Sequence, residues 1–319
     1  MPVPFVAHAV RVRVPATSAN LGPGFDALGL ALGLHDELTA QVRSGGIAVS
    51  VTGEGAGELP ADESHLVVTA MLETFGLLGE RPPGIALRCH NRIPHARGRG
   101  STTAAIVAGK RLARALVAGG ADRLDAAAAL RLAAALEGHP DNVAACLLGG
   151  LTLAWTQEAG ACAVRLPLSP AVHPLVFVPE RRALTAAARA ALPTTVDHRD
   201  AAFALARTAL LTHALARAPE LLLVATEDRL HQPYRAAAMP ETAALVARLR
   251  QVGVPAVVSG AGPSVLALLP ERDGELARLA EGLIPDGWRR MSFGTTGTGP
   301  GTLDAEHAGA DPVAAGLSS

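Results

Sequence analysis

A short basic loop that runs directly into a small-residue helix constrains this chain more than any other stretch. Residues 94–105 read Pro-His-Ala-Arg-Gly-Arg-Gly-Ser-Thr-Thr-Ala-Ala. Gly98 and Gly100 allow a tight turn and a close approach of the backbone to a ligand, and the first N–H groups of the following helix are free to bind an anion. The pattern predicts a phosphate-binding loop. For the loop taken alone, an ordinary glycine-serine helix start is the competing interpretation.

Two familiar phosphate-loop patterns do not fit these residues. A Walker A loop ends in Gly-Lys followed by Ser or Thr, but the chain's one Gly-Lys pair, Gly109-Lys110, lies inside the predicted helix and is followed by Arg111. The protein-kinase loop needs a third glycine, which is missing after Gly98 and Gly100. Lys110 is the only lysine in the sequence. Any mechanism that needs a lysine would depend on it, and we expect it on the helix surface.

Composition limits the class of protein and its partners. A chain of 319 residues is long enough for about two domains, and aromatic residues make up only 3 %, so Ala, Val and Leu must build the cores. A net charge of −1 gives no overall attraction to nucleic acid or to an anionic membrane, and neither is an expected partner. Three scattered cysteines, no leader-like N-terminus and no apolar run of about 18 residues together predict a soluble cytoplasmic protein.

Hydrophobic periodicity predicts strands and helices in both halves of the chain. Pro15 should end the first strand, and Asp62 or Ser64 should cap the first helix. The composition changes after Gln157, which predicts domains at 1–157 and 158–304, with a disordered tail at 305–319. The predicted strands are 10–14, 30–42, 45–51, 85–91, one running into Trp155, 163–168, 175–178, 256–258, 265–269 and 289–293. The predicted helices are 65–78, 102–117, one ending at 137, 200–216, 219–226, 241–251 and 274–283.

Glu137 is an unusual residue at the end of a predicted helix. A carboxylate there faces the negative end of the helix dipole, which costs up to about 1 kcal/mol. A nearby cation would offset this cost, and an arginine side chain is the simplest candidate.

Four segments, read together, resemble the motifs of the GHMP small-molecule kinases. They are Pro15–Asp26, the loop at Gly98–Ala105, Glu137–Val143 and Ser259–Ser264, in the order and spacing of that family. The first and third are most similar to the homoserine kinase branch, and the resemblance covers about residues 10–295. It implies an α+β, two-domain fold with an N-terminal ribosomal-protein-S5-like ATP-binding domain and a C-terminal ferredoxin-like α/β sandwich.

The resemblance also implies a nucleotide site. In that family the glycine loop wraps the phosphates of ATP, and a loop serine and a helix-terminal glutamate hold Mg²⁺. The matching metal ligands are Ser101 and Glu137, which would supply the missing cation beside Glu137. The implied ATP-binding residues are Pro94, His95, Ala96, Arg97, Gly98, Arg99, Gly100, Ser101, Thr102 and Thr103.

The implied second substrate is L-homoserine, whose amino and carboxylate groups need opposite charges from the protein. Asp26 suits the ammonium, while Arg189 and Arg235 suit the carboxylate in charge-assisted pairs. Thr185 and Arg189 are four residues apart and would share one helix face. The implied substrate-binding residues are Asn20, Asp26, His139, Asn142, Thr185, Arg189, Arg235 and Gly260.

Several points of the resemblance leave alternatives. Phosphoryl transfer needs positioning and charge more than a strong base, so Asp141 is either a catalytic base or a cap of the turn after Pro140. Homoserine kinases usually have Leu where Arg99 stands, and we expect this arginine to face solvent, a phosphate contact being the alternative. Other acceptor alcohols, a non-catalytic nucleotide-binding regulator on the same fold and a homodimer also fit the sequence.

Overall fold

The computed structural model describes residues 5–181 and 185–292, without the side chains of residues 185–187. Its strands form two sheets. Helices pack against both sheets. The strands are β1 Val10–Ala19, β2 Leu28–Val42, β3 Gly46–Gly53, β4 Gly84–Asn91, β5 Leu151–Gln157, β6 Gly160–Leu166, β7 His173–Pro179, β8 Ala256–Val258, β9 Val265–Leu269 and β10 Trp288–Ser292.

The predicted helices occur in order, and among them lie short helices that the sequence analysis did not predict: Gly120–Arg123, Asp141–Leu148 and Gln232–Arg235. Two single 3₁₀ turns, Pro219–Leu221 and Ala236–Ala238, precede α8 and α10. The helices are α1 Leu66–Leu77, α2 Ser101–Leu116, α3 Gly120–Arg123, α4 Ala126–Glu137, α5 Asp141–Leu148, α6 Thr185–Ala190, α7 His198–Arg217, α8 Leu222–Ala225, α9 Gln232–Arg235, α10 Pro240–Gln251 and α11 Glu275–Gly282.

The first sheet has six strands in the order β3-β4-β2-β5-β6, with β1 paired to β2. The prediction that Pro15 ends β1 is wrong. The strand continues to Ala19, and its register against β2 shifts between Pro15 and Ala16. A bulge tolerates the missing N–H of proline, which explains how the strand passes through it. The extension carries Thr17 and Ser18 to the phosphate loop.

The second sheet confirms the predicted C-terminal architecture. Its order is β10-β7-β9-β8, and every pairing in it is antiparallel. With α10 between β7 and β8, and α11 between β9 and β10, this is the split β-α-β-β-α-β arrangement of a ferredoxin-like fold. Buried Val, Leu and Ala side chains form its core, as the composition predicts.

The two sheets divide the chain between β6 and β7. The proposed boundary at residue 157 falls in the hairpin between β5 and β6, and β6 is still part of the first sheet. The predicted disorder at 305–319 lies outside the described residues. Within the described ranges, no helix combines the length and the apolar character needed to cross a membrane.

Two local predictions on the first half need correction. The cap of α1 is His65, whose Nδ1 accepts a hydrogen bond from the N–H of Val67 at 3.3 Å, and neither Asp62 nor Ser64 occupies that position. Lys110 is not a surface residue, because only 4 % of its side chain is exposed and its Nζ lies 3.3 Å from Glu73 Oε2. A long apolar stem lets lysine be buried in this way while its charge is paired.

Candidate active site

The phosphate loop ends at helix α2 in a conformation suited to an anion. Gly98 and Gly100 both have left-handed backbone angles, with φ of 68° and 67°. Gly100 is the N-cap of α2, and no side chain caps the first turn. The leading N–H groups of a 16-residue helix therefore have no side-chain partner. This is the arrangement in which a helix start binds phosphate, and Ser101 and Thr102 stand at it.

A second glycine turn, residues 259–264, supports the phosphate loop from behind. A Cβ atom on Gly98 would lie 2.4 Å from the carbonyl oxygen of Ser259, so no larger residue fits there. Ser259 Oγ donates to the Gly98 carbonyl at 2.8 Å and shares a 2.9 Å hydrogen bond with Ser18 Oγ. A Cβ on Gly100 would similarly meet Thr17 Oγ1 at 2.0 Å. Both halves of the chain thus fix the shape of the loop.

Glu137 lies at the last position of α4, as predicted, and its carboxylate faces the loop. Thr103 Oγ1 donates to Oε1 at 2.6 Å. Oε2 is buried and accepts no hydrogen bond from any described residue. Burial raises the pKa of Glu137, and this outweighs the opposing effects of Thr103 and of His139. A buried carboxylate oxygen without a donor is a position that a bound cation would satisfy.

His139, Asp141 and Asn142 form a hydrogen-bonded group at the start of α5. Asp141 is buried, and its Oδ1 lies 2.6 Å from His139 Nδ1 and accepts the N–H of Asn142 at 2.7 Å. Burial lowers the pKa of His139, but the hydrogen bond and charge of Asp141, with the charges of Glu137 and Asp26, raise it overall. Asn142 Oδ1 accepts from Thr17 Oγ1 at 2.7 Å. Asp141 thus orients its neighbours in this structure.

Asp26 and Arg189, which the sequence assigns to opposite ends of the substrate, contact each other. The Arg189 guanidinium binds the Asp26 carboxylate through two hydrogen bonds of 2.8 and 3.0 Å. Asn20 holds this segment, because its Oδ1 accepts the Asp26 N–H at 3.0 Å and its Nδ2 donates to the Gly260 carbonyl at 2.9 Å. Asn20 and Asp26 have φ of 68° and 54°, a left-handed conformation that Asn and Asp tolerate better than most residues.

Arg235 is 2 % exposed and is held in place by three acceptors. Its Nε donates to the Ala188 carbonyl at 3.1 Å, and its Nη1 contacts the Gly260 carbonyl at 3.3 Å and His231 Nδ1 at 3.0 Å. Because His231 Nε2 lies 2.9 Å from the Gly22 carbonyl, the imidazole carries its proton on Nε2 and accepts at Nδ1. No described residue accepts a hydrogen bond from Arg235 Nη2, which leaves that atom available on the cleft side.

One narrow cleft of about 60 Å³ brings most of the predicted residues together. Pro94, His95 and Thr103 are not in its lining, and Thr185 has no described side chain. The residues that line it include Asn20, Asp26, Ala96, Arg97, Gly98, Arg99, Gly100, Ser101, Thr102, Glu137, His139, Asp141, Asn142, Arg189, Arg235 and Gly260.

The side chains of Arg97 and Arg99 both contact the second half of the chain, and Arg99 differs from its prediction. Arg99 does not face solvent, because it is 1 % exposed and its Nη1 contacts Met291 Sδ. Burial, together with the nearby charge of Arg289, lowers the pKa of Arg99 to about 10. Arg97 donates to the carbonyls of His95, Pro179 and Glu180 at 2.9–3.1 Å. Both side chains therefore attach the loop to the second half of the chain.

A second cavity of about 250 Å³ adjoins the cleft at the start of α2. Ser101 and Thr102 line both, so the two spaces meet at the phosphate loop. The lining combines apolar Leu38, Leu59 and Leu66 with polar groups that include His95 and Asn91. His95, which does not line the cleft, thus belongs to this adjoining space.

Sequence reasoning did not identify several residues that shape the site. Thr17 and Ser259 are buried and determine the backbone of the loop, while His231 positions Arg235. Phe25 stacks on His231 and lies 5.6 Å from the guanidinium carbons of both Arg189 and Arg235. Phe25 and Ser259 do fall inside the motif segments, and that position was the available signal. His231 offered none beyond its four-residue spacing from Arg235.

Comparisons with known proteins agree with this geometry. The N-terminal GHMP kinase domain model matches residues 65–150, and the C-terminal model matches residues 206–282. A homoserine kinase of Streptomyces coelicolor is 56 % identical over 91 % of this chain and 93 % of its own length. One from Streptomyces avermitilis is 54 % identical over 98 % of both chains.

A solved structure extends the agreement to the fold. The crystal structure of homoserine kinase from Cytophaga hutchinsonii has a TM-score of 0.78 at 26 % identity and covers 90 % of this chain and 95 % of its own. The motif order and the two-domain architecture are therefore accounted for together. The chain belongs to the GHMP kinase family, within its homoserine kinase branch.

Proposed function

We propose that this protein transfers the γ-phosphoryl group of ATP to the hydroxyl of L-homoserine, giving O-phospho-L-homoserine and ADP in threonine biosynthesis. The observation that carries the proposal is the content of one cleft. An uncapped helix start, a buried carboxylate with one unpaired oxygen, and an Asp-Arg-Arg set lie together in it. The first two features suit a triphosphate and its cation, and the third suits an amino acid.

The nucleotide would lie along the phosphate loop. Its phosphates would accept hydrogen bonds from the first N–H groups of α2, which have no side-chain partner. Its nucleoside would occupy the adjoining cavity of about 250 Å³, whose apolar leucines offer a surface for a base and whose polar groups offer partners for a ribose. The shared lining at Ser101 and Thr102 is where the base-to-phosphate connection would pass.

Homoserine would replace the protein's own ion pair. Asp26 and Arg189 now neutralise each other, and the substrate carries one ammonium and one carboxylate. Exchange of partners would give Asp26 the ammonium and Arg189 the carboxylate, with no net change in buried charge. Arg235 Nη2 would add a donor to the carboxylate, while His231 and Gly260 hold the guanidinium still. Until homoserine binds, the charges of Asp26 and Arg189 thus neutralise each other.

The residues present fit a magnesium ion at Glu137. Oε2 is buried without a donor, and the hydroxyl of Ser101 lines the same cleft. Asp26, His139 and Asp141 also offer ligand atoms within 4.8 Å of one another, but their oxygens and nitrogen are already engaged by Arg189 and by each other. Glu137 with Ser101 is therefore the better site. When bound, Mg²⁺ would neutralise charge on the phosphates.

The protein's own groups then contribute position and charge. The homoserine hydroxyl oxygen forms a bond to the γ-phosphorus, the bond from that phosphorus to the ADP oxygen breaks in line, and the hydroxyl proton is released. The N–H groups of α2 stabilise the equatorial oxygens, and Arg189 with Arg235 holds the acceptor in place. Asp141 is committed to His139 and Asn142 through Oδ1, which favours an orienting role over that of a base.

A coupled ADP-release assay over a panel of acceptors tests the proposal. We expect ADP release from MgATP with L-homoserine, and little with mevalonate or galactose, because only an amino acid satisfies Asp26 and the two arginines together. Equal rates with those alcohols and none with homoserine would reject the assignment. A non-catalytic regulator would bind ATP and release no ADP with any acceptor on the panel.

A further inference from the structure

A cavity beside the first sheet lies away from the active-site cleft. It has a volume of about 450 Å³ and is bounded by α2, α4, α5 and the β5–β6 hairpin. It opens to solvent beside Trp155, which is 39 % exposed. Here the walls are too short to fill it, because six alanines line it: Ala126, Ala127, Ala129, Ala133, Ala161 and Ala163.

The charges around this cavity are all of one sign. Lys110, Arg111, Arg114 and Arg131 line it, and none of the described lining residues is acidic. Lys110 is paired with Glu73, and Arg114 donates through Nη2 to the Ala121 carbonyl at 3.1 Å, whereas its buried Nε has no partner among the described residues.

Arg111 and Arg131 lack partners of this kind. Neither has a carboxylate or a hydrogen-bond acceptor among the described residues, although both are only partly exposed. Burial lowers the pKa of Arg111, and the charge of Arg114 adds to this effect. A guanidinium held partly out of water without a partner is costly, so a ligand that supplied an anion would be stabilised here.

We propose that this cavity binds a small amphipathic carboxylate, with its apolar chain against the alanines and its carboxylate on Arg111 and Arg114. The volume lies within the range of small-molecule sites. The lining has basic donors but no Ser, Thr, Asn, Gln, Asp or Glu side chain, so the hydroxyls of a sugar or a nucleotide would find no such acceptor there. A neutral hydrocarbon would fill the space but leave the arginines without an anion.

The site is separate from the proposed kinase chemistry. Arg111 lies ten residues after Ser101 on α2, which corresponds to about 15 Å along the helix axis. A ligand bound there would not contact the nucleotide. Binding at this cavity and phosphoryl transfer at the cleft can therefore succeed or fail independently.

Tryptophan fluorescence gives a direct test, because Trp155 lines the cavity and the chain has one other tryptophan, Trp288. In a Trp288→Phe background, we expect decanoate, kept below its micelle concentration, to change the emission saturably. It should bind at least about tenfold more tightly than decan-1-ol, because only the carboxylate can form charge-assisted hydrogen bonds with the arginines. Arg111→Gln should remove this preference and Arg111→Lys should keep part of it. Arg278→Gln, on α11, is the matched control.

Cysteine labelling gives a second, independent readout. Cys162 lines the cavity, while Cys89 and Cys146 are buried and burial raises the pKa of each to about 12. An aromatic disulfide reagent should therefore react first with Cys162, and decanoate should slow that reaction at least severalfold, while acetate should not.

Four results would overturn the proposal. They are an emission that does not saturate, equal affinity for decanoate and decan-1-ol, an Arg111→Gln variant that folds normally but keeps the preference, and unchanged labelling of Cys162. Sedimentation that showed a concentration-dependent dimer from which decanoate is excluded would instead make a second copy of the chain the occupant.

Discussion

The active-site cleft and the alanine-lined cavity lie near opposite ends of helix α2 and treat charge in opposite ways. In the cleft of about 60 Å³, Asp26 is paired with Arg189 and Arg235 is held by three acceptors. In the cavity of about 450 Å³, Arg111 and Arg131 have no described partner. The first site is narrow, and its Asp26 and Arg189 neutralise each other. The second is wide and carries unbalanced positive charge.

The difference teaches what each site asks of a ligand. A ligand of the cleft must exchange partners with groups that already satisfy one another, which favours molecules that carry both charges in the right places. A ligand of the cavity needs only to supply an anion and fill apolar space. We therefore expect the cleft to be selective and the cavity to accept a range of chain lengths.

The largest effect should come from Glu137, whose buried Oε2 accepts no hydrogen bond from any described residue. Glu137→Gln keeps the side-chain size and an acceptor for Thr103 but removes the charge beside the phosphates. We expect kcat to fall about 100-fold or more, because a bound cation contributes several kcal/mol of transition-state stabilisation. A steady-state ADP assay at varied Mg²⁺ concentration measures it, and Glu158→Gln, in the β5–β6 turn, is the control. Unchanged kcat would remove Glu137 from the metal site.

A smaller loss should follow when the exchangeable ion pair is removed. Asp26→Asn and Arg189→Gln each delete one charge-assisted contact to homoserine, so the KM for homoserine should rise about 10- to 100-fold. The KM for ATP should change little. Arg207→Gln breaks a pair of similar length, 2.8 Å to Glu227, away from the cleft and should leave both values alone. A rise in the ATP value alone would contradict the assignment of this pair to the amino-acid substrate.

Replacing one arginine in each region should affect stability differently. Arg235→Met leaves His231 and two carbonyls without their donor, so the free energy of unfolding should fall by about 2 kcal/mol. Arg111→Met removes an unpartnered charge and adds apolar volume, so unfolding should cost the same or up to about 1 kcal/mol more. Urea titrations of both variants compare them directly. A similar loss in both would mean that the cavity's charge is balanced after all.

The smallest effect concerns Asp36, which lines the space assigned to the nucleoside. Burial raises its pKa from 3.8 to about 6, although the N–H groups of Arg92 and Ile93 oppose the shift. Because the folded-state pKa is the higher one, the folded protein binds the proton more tightly, and the stability contributed by Asp36 falls as pH rises through this interval. Acidification from pH 7 to pH 5 should therefore raise the stability of the wild type relative to Asp36→Asn by about 1 kcal/mol.

Urea unfolding of both proteins at the two pH values measures this change, since other carboxylates cancel in the difference. The Asn side chain keeps an acceptor for the two N–H groups, so hydrogen bonding is matched. A difference that does not depend on pH would show that Asp36 titrates normally.

Much of the fold followed from local sequence, and the membership of the cleft followed from the resemblance to the GHMP kinases. Strands, helices and the glycine loops are set by periodicity and by residues with special backbone freedom, both visible within a few positions. Glu137 was recognisable because its charge opposed its own helix dipole. These signals need no knowledge of distant neighbours.

What failed depended on contacts between distant segments. Arg99 and Lys110 carry charge, so sequence reasoning placed them at the surface, yet Met291 and Glu73 lie beside them in the folded chain. The mutual pairing of Asp26 and Arg189, 163 residues apart, depends on how the two halves meet. The prediction that Pro15 ends β1 rested on the low strand propensity of proline. In the folded chain a bulge against β2 accommodates Pro15, and β1 continues to Ala19.

The contact of Gly98 with the turn at 259–264 has a consequence for how the molecule comes apart. The loop that would hold the phosphates packs against β1 on one side and, on the other, against a turn some 160 residues later in the chain. An N-terminal fragment that ended between β6 and β7 would keep every residue of the phosphate loop but lose the contact with the turn at 259–264. We therefore expect nucleotide binding to need both halves of the chain, because each half alone lacks part of the support for the loop.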